Sequence, residues 1–176
     1  MPEMKGFDEI SAEDKERLTL TGINTENMEG RSGSFLLVND HVYHAGSAAE
    51  GIETLMIEQA LEKYEWLKDY FWNIVPADKD EYTKYVAERP QRGYVIIAHK
   101  GAKATFPLQS CMFLQGDTIQ AVHNIVIAEE GSEIHLIAGC ASSMDTKVGA
   151  HYGVNEIYVR KKAKVTSTMI HTWGEE

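Results

Sequence analysis

The segment VIAEEGSEIHL (126–136) has a weaker copy before it, IIAHKGAKATF (96–106), and another after it, IYVRKKAKVTS (157–167). Each copy combines alternating apolar residues, a turn with charged residues, and then small or β-branched residues. The turns of successive copies lie 30 and 31 residues apart. A period in this range is typical of stacked repeats, and the strand-like composition favours a β-solenoid over helical repeats.

The alternation after each turn predicts which side chains face the interior, because successive strand residues point to opposite faces. It places Cys140 on the small, apolar face of its strand. A shift of 31 carries Cys140 onto His171, with Trp173 on the same inward face, and a shift of 30 in the other direction carries it onto Ser110, next to Cys111. Because parallel strands lie about 4.8 Å apart, we expect Cys140 and His171 to be near neighbours.

Two interpretations of this pair are open. A thiol beside an imidazole can ionise, and the thiolate is both the nucleophile and the metal ligand. Alternatively, Cys140 packs as a small hydrophobic residue, and His171 donates to a backbone carbonyl.

Length and composition restrict the class of protein. The chain has 176 residues, which fits one domain with a sizeable core, with or without a small appendage. Its formal net charge of −10 argues against nucleic acid or an anionic membrane as a partner. The first ten residues lack the pattern of a signal peptide, and no apolar run approaches the roughly 18 residues of a membrane span. With two cysteines and no CxxC, neither a zinc ribbon nor a disulfide framework is indicated, so we expect a cytoplasmic protein with reduced thiols.

The chain divides into an N-terminal α/β region over 1–92 and the first rungs of a β-solenoid core over 93–176. Capping residues, helical spacing and turn-prone pairs predict the elements of the first region. These are a helix that begins at Ser11, a hairpin over 35–45, and helices over 49–63, 62–75 and 80–88.

Other chemical motifs are weak or absent. His41 and His44 are candidate metal ligands, but no supporting ligand has a suitable spacing, so a place on the hairpin surface is favoured. No phosphate-binding loop, GxSxG motif or paired-carboxylate signature occurs. A carbohydrate-active solenoid enzyme is therefore the least favoured hypothesis.

Three segments resemble the SufB/SufD family of iron–sulfur cluster assembly proteins: KYEWLKDYFWNIVPADKDEYTKYVAE (63–88), VHNIVIAEEGSEIHLIAGCAS (122–142) and GAHYGVNEIYVRKKAKVTSTMIHTW (149–173). The resemblance implies a mainly β fold whose core is a right-handed parallel β-helix, partial in this chain. It also implies a non-catalytic scaffold with two partners, a SufC-type ABC ATPase that hydrolyses ATP and a second SufB/SufD-like subunit. The full assembly would carry a transient Fe–S cluster, with none bound by this chain alone and with unknown metal ligands.

The resemblance assigns site residues position by position. Gly139-Cys140 matches the Gly-Cys of SufB, whose cysteine lies inside the β-helix and is implicated in sulfur transfer. The segment 170–173 matches one in which SufB carries Gln in place of His171 and retains the tryptophan, here Trp173. His151 matches a common histidine without a known role, and Cys111 is a secondary candidate.

Two departures from the family pattern affect its functional implication. Where SufB proteins carry inward Arg and Asn, this chain has the apolar stretch 112–114, which favours a SufD-like or ancestral subunit. Family members are also longer, with further rungs and a C-terminal region that binds the ATPase, so a truncated chain is expected. The first hypothesis is a scaffold subunit that accepts or relays sulfur. The alternative is a SufD-like structural subunit, or an inactive fragment, with an inert buried cysteine.

Overall fold

Two sheets carry most of the fold in the computed structural model, which describes residues 10–26 and 29–174. The residues on which the signal-peptide argument rests lie largely outside this description. The helices are α1 (Ala12–Leu20), α2 (Ile57–Lys63) and α3 (Glu81–Ala87), with a 3-10 helix over Glu65–Tyr70. The strands are β1 (Gly33–Val38), β2 (His41–Ser47), β3 (Ile52–Met56), β4 (Tyr94–Ala98), β5 (Leu108–Leu114), β6 (Ile119–Ala128), β7 (Glu133–Ser142), β8 (Ala150–Val159) and β9 (Lys164–Thr172).

The first sheet has the order β2-β1-β5-β7-β9, and the second has the order β3-β4-β6-β8. Pairing is antiparallel between β1 and β2 and between β3 and β4, and parallel elsewhere in both sheets. From β4 to β9 each successive strand joins the other sheet. The mainly β class is therefore confirmed, whereas the right-handed parallel β-helix stays a prediction. The division at residue 92 also stays a prediction, although both sheets include strands from either side of it.

The register confirms one predicted alignment of Cys140 and corrects the other. Cys140 pairs with His171 in the parallel β7–β9 ladder, as predicted. The prediction that Cys140 aligns with Ser110 is wrong, because Cys140 pairs with Met112 and Ser110 pairs with Ala138. The path from Ala98 to Leu108 is two residues longer than the equivalent path from Ala128 to Leu136, so the offset falls from 30 residues between β4 and β6 to 28 between β5 and β7. Because the offset changes by two residues, an even number, the same set of β5 side chains faces inward as predicted.

The main core lies between the two sheets and holds Cys140, Met112 and Leu136 from the first sheet against Val122 and Val126 from the second. Two smaller apolar clusters cover the outer faces. One joins α1 to the outer face of the first sheet, and the other joins α2 and the aromatic residues after it to the outer face of the second. Helices thus cover outer faces, whereas the interior between the sheets is filled by strand side chains, with loop alanines such as Ala49 and Ala102 packed against them.

Local signals predicted the N-terminal elements unevenly. The helix that begins at Ser11 is confirmed, since the Ser11 side chain accepts from the Asp14 N–H, and the hairpin and the helix over 80–88 are confirmed too. The helix over 49–63 is wrong in its first half, because residues 52–56 form β3 instead. These residues pair with β4 and form hydrogen bonds with the backbone groups of its otherwise free edge. This pairing determines their structure, although their apolar residues have helical spacing. The helix over 62–75 is reduced to the 3-10 helix, since the chain turns at Trp72 with φ +56°.

Candidate functional site

Cys140 lies in the closed part of the interior. Its side chain on β7 is 3% exposed and packs within the main core. Burial among apolar side chains raises the pKa of the Cys140 thiol to about 11. The thiol is therefore protonated at neutral pH.

His171 pairs with Cys140 in the β7–β9 ladder, and Trp173 follows two residues later at the end of the interior that β8 and β9 border. Both were predicted to point inward, and both are exposed, Trp173 by 41%. No described strand lies beyond β8 and β9, so residues on their inward-facing positions remain accessible. Cys140 is thus the buried member of the pair, and His171 is the accessible one.

The Trp173 ring connects histidines from the two sheets. Its centroid lies 5.9 Å from the ring of His171 on β9 and 6.0 Å from the ring of His151 on β8. The structure therefore brings three predicted site residues into one cluster, and the β-ladder places Cys140 beside it. We call these four residues, Cys140, His151, His171 and Trp173, the Cys140 site.

Hydrogen bonds determine which nitrogen of His151 carries the proton. His151 Nδ1 lies 2.8 Å from Gln120 Oε1, and the amide nitrogen of Gln120 donates to the Asn39 carbonyl at 2.8 Å. Because Gln120 Oε1 can only accept, Nδ1 donates and Nε2 carries the lone pair. Burial, and secondarily the nearby His171, lowers the pKa of His151 to about 4. His151 is therefore a neutral imidazole at pH 7, and its Nε2 lone pair can accept a hydrogen bond.

Cys111 does not join the Cys140 site. It is 1% exposed and lies on the outer face of the first sheet, in the cluster under α1. Burial raises the pKa of its thiol well above the usual range. The one-residue step from Met112, which pairs with Cys140, places Cys111 on the opposite face of the sheet.

The position before Cys140 has room only for a glycine. A Cβ at this position would lie 2.5 Å from Thr21 Oγ1 and 2.9 Å from Ile23 Cγ1, in the segment that follows α1. Only glycine lets that segment cross β7 directly behind Cys140. Arg17 joins α1 to the end of β7, since its Nε donates to the Ser142 carbonyl at 2.7 Å.

A buried histidine–glutamate pair on the outer face of the second sheet is not predicted by the sequence analysis. His123 Nε2 and Glu156 Oε2 lie 2.8 Å apart, and both side chains are fully buried. The Glu156 carboxylate also accepts three backbone N–H groups, from Trp72, Ile74 and Val75. This carboxylate anchors the loop after the 3-10 helix to the sheet. Neither residue has a local motif, because the partners lie 33 residues or more away along the chain.

The candidate metal ligands do not form a site in the described part of the chain. Within residues 10–26 and 29–174, no group of three or more His, Cys, Asp or Glu residues is placed to hold a metal ion. His41 is exposed on β2 of the hairpin, as the favoured interpretation predicted, whereas His44 on the same strand is half-buried with its Nε2 shielded from solvent.

The raised pKa of Cys140 predicts slow alkylation of the folded protein. We expect the rate of reaction with iodoacetamide to rise about tenfold per pH unit from pH 7 to 9, without a plateau, because the thiolate fraction grows in proportion. Mass spectrometry of the Cys140 peptide over this range measures the rate. A plateau below pH 9 would show an ordinary or lowered pKa instead.

Comparison with known proteins tests the resemblance. The family model for the SufBD core domain of SUF-system FeS cluster assembly matches residues 111–176, which include every member of the Cys140 site. The chain is 43% identical over 173 residues to an iron–sulfur cluster assembly SufBD family protein of Archaeoglobus fulgidus, covering 95% of this chain and 46% of that protein. The chain belongs to the SufBD family.

Two further SufBD family proteins show the range of similarity. The one from Methanothermobacter thermautotrophicus (strain Delta H) is 43% identical, covering 96% of this chain and 42% of the relative. The one from Pyrococcus horikoshii is 28% identical, covering 98% of this chain and 40% of the relative. This SufBD chain therefore spans less than half the length of these curated relatives. In the part that the structure describes, no helix is long and apolar enough to cross a membrane.

Proposed function

We propose that this SufBD chain contributes a sulfur-accepting site to an iron–sulfur cluster assembly subunit. Family membership supports the role in cluster assembly. The observation that carries the finer proposal is the register of Cys140 and His171, which joins a protected thiol to an accessible polar end of the same interior. The acceptor is Cys140, and the Fe–S cluster is the cargo of the full assembly.

The chemistry is transfer of a sulfane sulfur from a protein persulfide. The Cys140 thiolate attacks the outer sulfur of the donor, a new S–S bond forms at Cys140, and the S–S bond of the donor breaks. The donor cysteine leaves as a thiolate and takes up the proton that Cys140 gave up, so no net oxidation occurs. His171, which pairs with Cys140 in the β7–β9 ladder, is the group that takes this proton in transit in the proposed step.

Access to Cys140 is the main requirement of this proposal. The thiol is 3% exposed, whereas His171 and Trp173 are accessible. In the proposed route sulfur reaches Cys140 past His171, its partner in the β7–β9 ladder. This chain turns over no substrate by itself, and ATP hydrolysis belongs to a SufC-type ABC ATPase partner, which together with a second SufB/SufD-like subunit completes the proposed assembly.

A second candidate function is a SufD-like structural subunit with an inert cysteine. The burial of Cys140 favours it, since a pKa of about 11 leaves about one thiol in ten thousand ionised at pH 7. The apolar neighbour Met112, which pairs with Cys140, is consistent with this alternative. The two candidates make opposite predictions for sulfur loading.

The test is persulfide-selective mass spectrometry after anaerobic incubation with a cysteine desulfurase and cysteine. We expect a gain of one sulfur atom on the Cys140 peptide, which is lost in Cys140→Ala. Cys111→Ala is the matched control, because Cys111 is equally buried but lies on the other face of the sheet, and it should load normally. Circular dichroism verifies that each variant is folded.

The outcomes separate the candidates. Loading of Cys140 that falls at least tenfold in His171→Phe supports the relay. No loading of Cys140 in folded wild-type protein supports the structural subunit, and loading of Cys111 instead would overturn the assignment of the acceptor.

A further inference from the structure

A cavity lies beside β2, which forms the edge of the first sheet opposite to β9 and the Cys140 site. Its volume is about 920 Å³, and its walls come from the end of β2, the loop that leads into β3, and the loop between β4 and β5. This volume is in the range of pockets that hold small organic ligands. The proposed sulfur chemistry does not use it, and of the candidate site residues considered from the sequence only His44 lines it.

The wall of this cavity contains a polar group that lacks a partner. His44 Nε2 is buried, and no hydrogen-bond partner for it occurs among the described residues. Buried polar atoms are normally paired, and a ring nitrogen left open beside a cavity is a position where a ligand can complete the hydrogen bond. Gly46 lies against this nitrogen, since a Cβ there would approach it to 3.5 Å, so the site is narrow at its base.

The charges around the cavity favour an anion. Arg31, Lys100 and Lys103 line it, against the carboxylates of Glu29 and Glu50. Lys100 pairs with Glu130 at 3.5 Å, so the cation of the wall on which the argument rests is Arg31. Arg31 is close enough to His44 that its charge, after burial, contributes to lowering the pKa of that imidazole. A neutral His44 donates through Nε2–H as one tautomer, which suits an acceptor oxygen.

Apolar side chains line another part of the cavity wall, apart from His44 and Arg31. Ala48, Ala49 and Ala102 present small side chains to the cavity, and Phe106 lines it although its side chain is 52% exposed. Small residues leave room for a flat group, and an exposed aromatic ring gives that group a surface to stack on. Pockets that combine an apolar body with a few convergent polar groups bind ligands of the same two-part character.

We propose that this cavity binds a small organic anion, with its acidic group at His44 and Arg31 and its flat apolar part against Ala102 and Phe106. A phosphate or a carboxylate satisfies the polar base equally well. The inference is independent of the proposed sulfur transfer, since it uses none of the residues of the Cys140 site.

The test is a titration of the full chain with phenyl phosphate, followed by the amide NMR signals of Ala48, Ala102 and Phe106. We expect saturable shifts of these signals. Inorganic phosphate, which has only the acidic group, and phenol, which has only the aromatic ring, should both bind more weakly. His44→Phe keeps the ring but removes the nitrogen, and it should raise the Kd about tenfold, as expected for loss of a hydrogen bond to a charged group. Benzoate in a parallel titration distinguishes a preference for phosphate from one for carboxylate.

The matched control is His41→Phe, on the same strand but outside the cavity, which should leave the Kd unchanged. Thermal melting establishes that both variants are folded. The proposal is overturned if phenyl phosphate produces no saturable shifts, if His44→Phe binds it as tightly as His41→Phe, or if phenol binds as well as phenyl phosphate.

Discussion

Replacing Gly93 with alanine is expected to lower the free energy of unfolding by about 4 kcal/mol. Gly93 has φ +121°, and a Cβ there would lie well inside van der Waals distance of the His123 carbonyl oxygen and 2.6 Å from Asn124 Oδ1. The first of these atoms is backbone of β6, which cannot move without disrupting the ladder beside β4. Urea denaturation followed by tryptophan fluorescence measures the loss.

Gly101→Ala is the control for backbone conformation alone. Gly101 also has a positive φ, +73°, but a Cβ there would meet no atom within 4 Å. We expect this variant to lose about 1 kcal/mol, from the left-handed backbone only. Equal losses at both glycines would contradict the steric explanation and attribute the effect at Gly93 to its φ angle.

Replacing Glu156 with glutamine is expected to cost about 3 kcal/mol. The carboxylate accepts three backbone N–H groups and contacts His123, all without exposure to solvent. An amide has one acceptor oxygen, so its NH₂ group must face a donor, and at least one buried N–H group loses its partner. The loop around Trp72 should loosen, which a shift in tryptophan emission and urea denaturation both detect.

Glu133→Gln is the matched control, because it also removes a carboxylate from a strand of the same protein. Glu133 is exposed and pairs with Lys164 at 3.0 Å. Solvent screens such a pair, so we expect no measurable change in the denaturation midpoint. If Glu156→Gln is as stable as Glu133→Gln, the buried carboxylate does not anchor the loop.

Local patterns in the sequence predicted those features that depend on residues near one another in the chain. The helix after Ser11 follows from one capping residue, and the hairpin from one turn. The pairing of Cys140 with His171 follows from an offset of 31 residues that the β7–β9 ladder keeps throughout. Such features are recoverable because each depends on one short segment or on one constant spacing.

The failed predictions have in common that a distant segment decided the outcome. The offset between β5 and β7 is shortened by a longer loop, so Cys140 meets Met112 instead of Ser110. Residues 52–56 pair with the edge of β4 in place of continuing a helix. The spacing of apolar residues in one copy of a repeat does not predict the loop lengths in the next copy, nor which strand edges are free to pair.

The sequence by itself thus determined the repeat, the alternation of inward and outward residues, and the family, because these depend on local periodicity and motifs. Only the tertiary structure decided that Trp173 contacts both His151 and His171, that Glu156 holds a loop more than 80 residues away, and that Cys140 is buried while His171 is exposed. These contacts join side chains from different sheets and loops, and their energies depend on burial. Burial is a property of the folded whole, so no single segment encodes it.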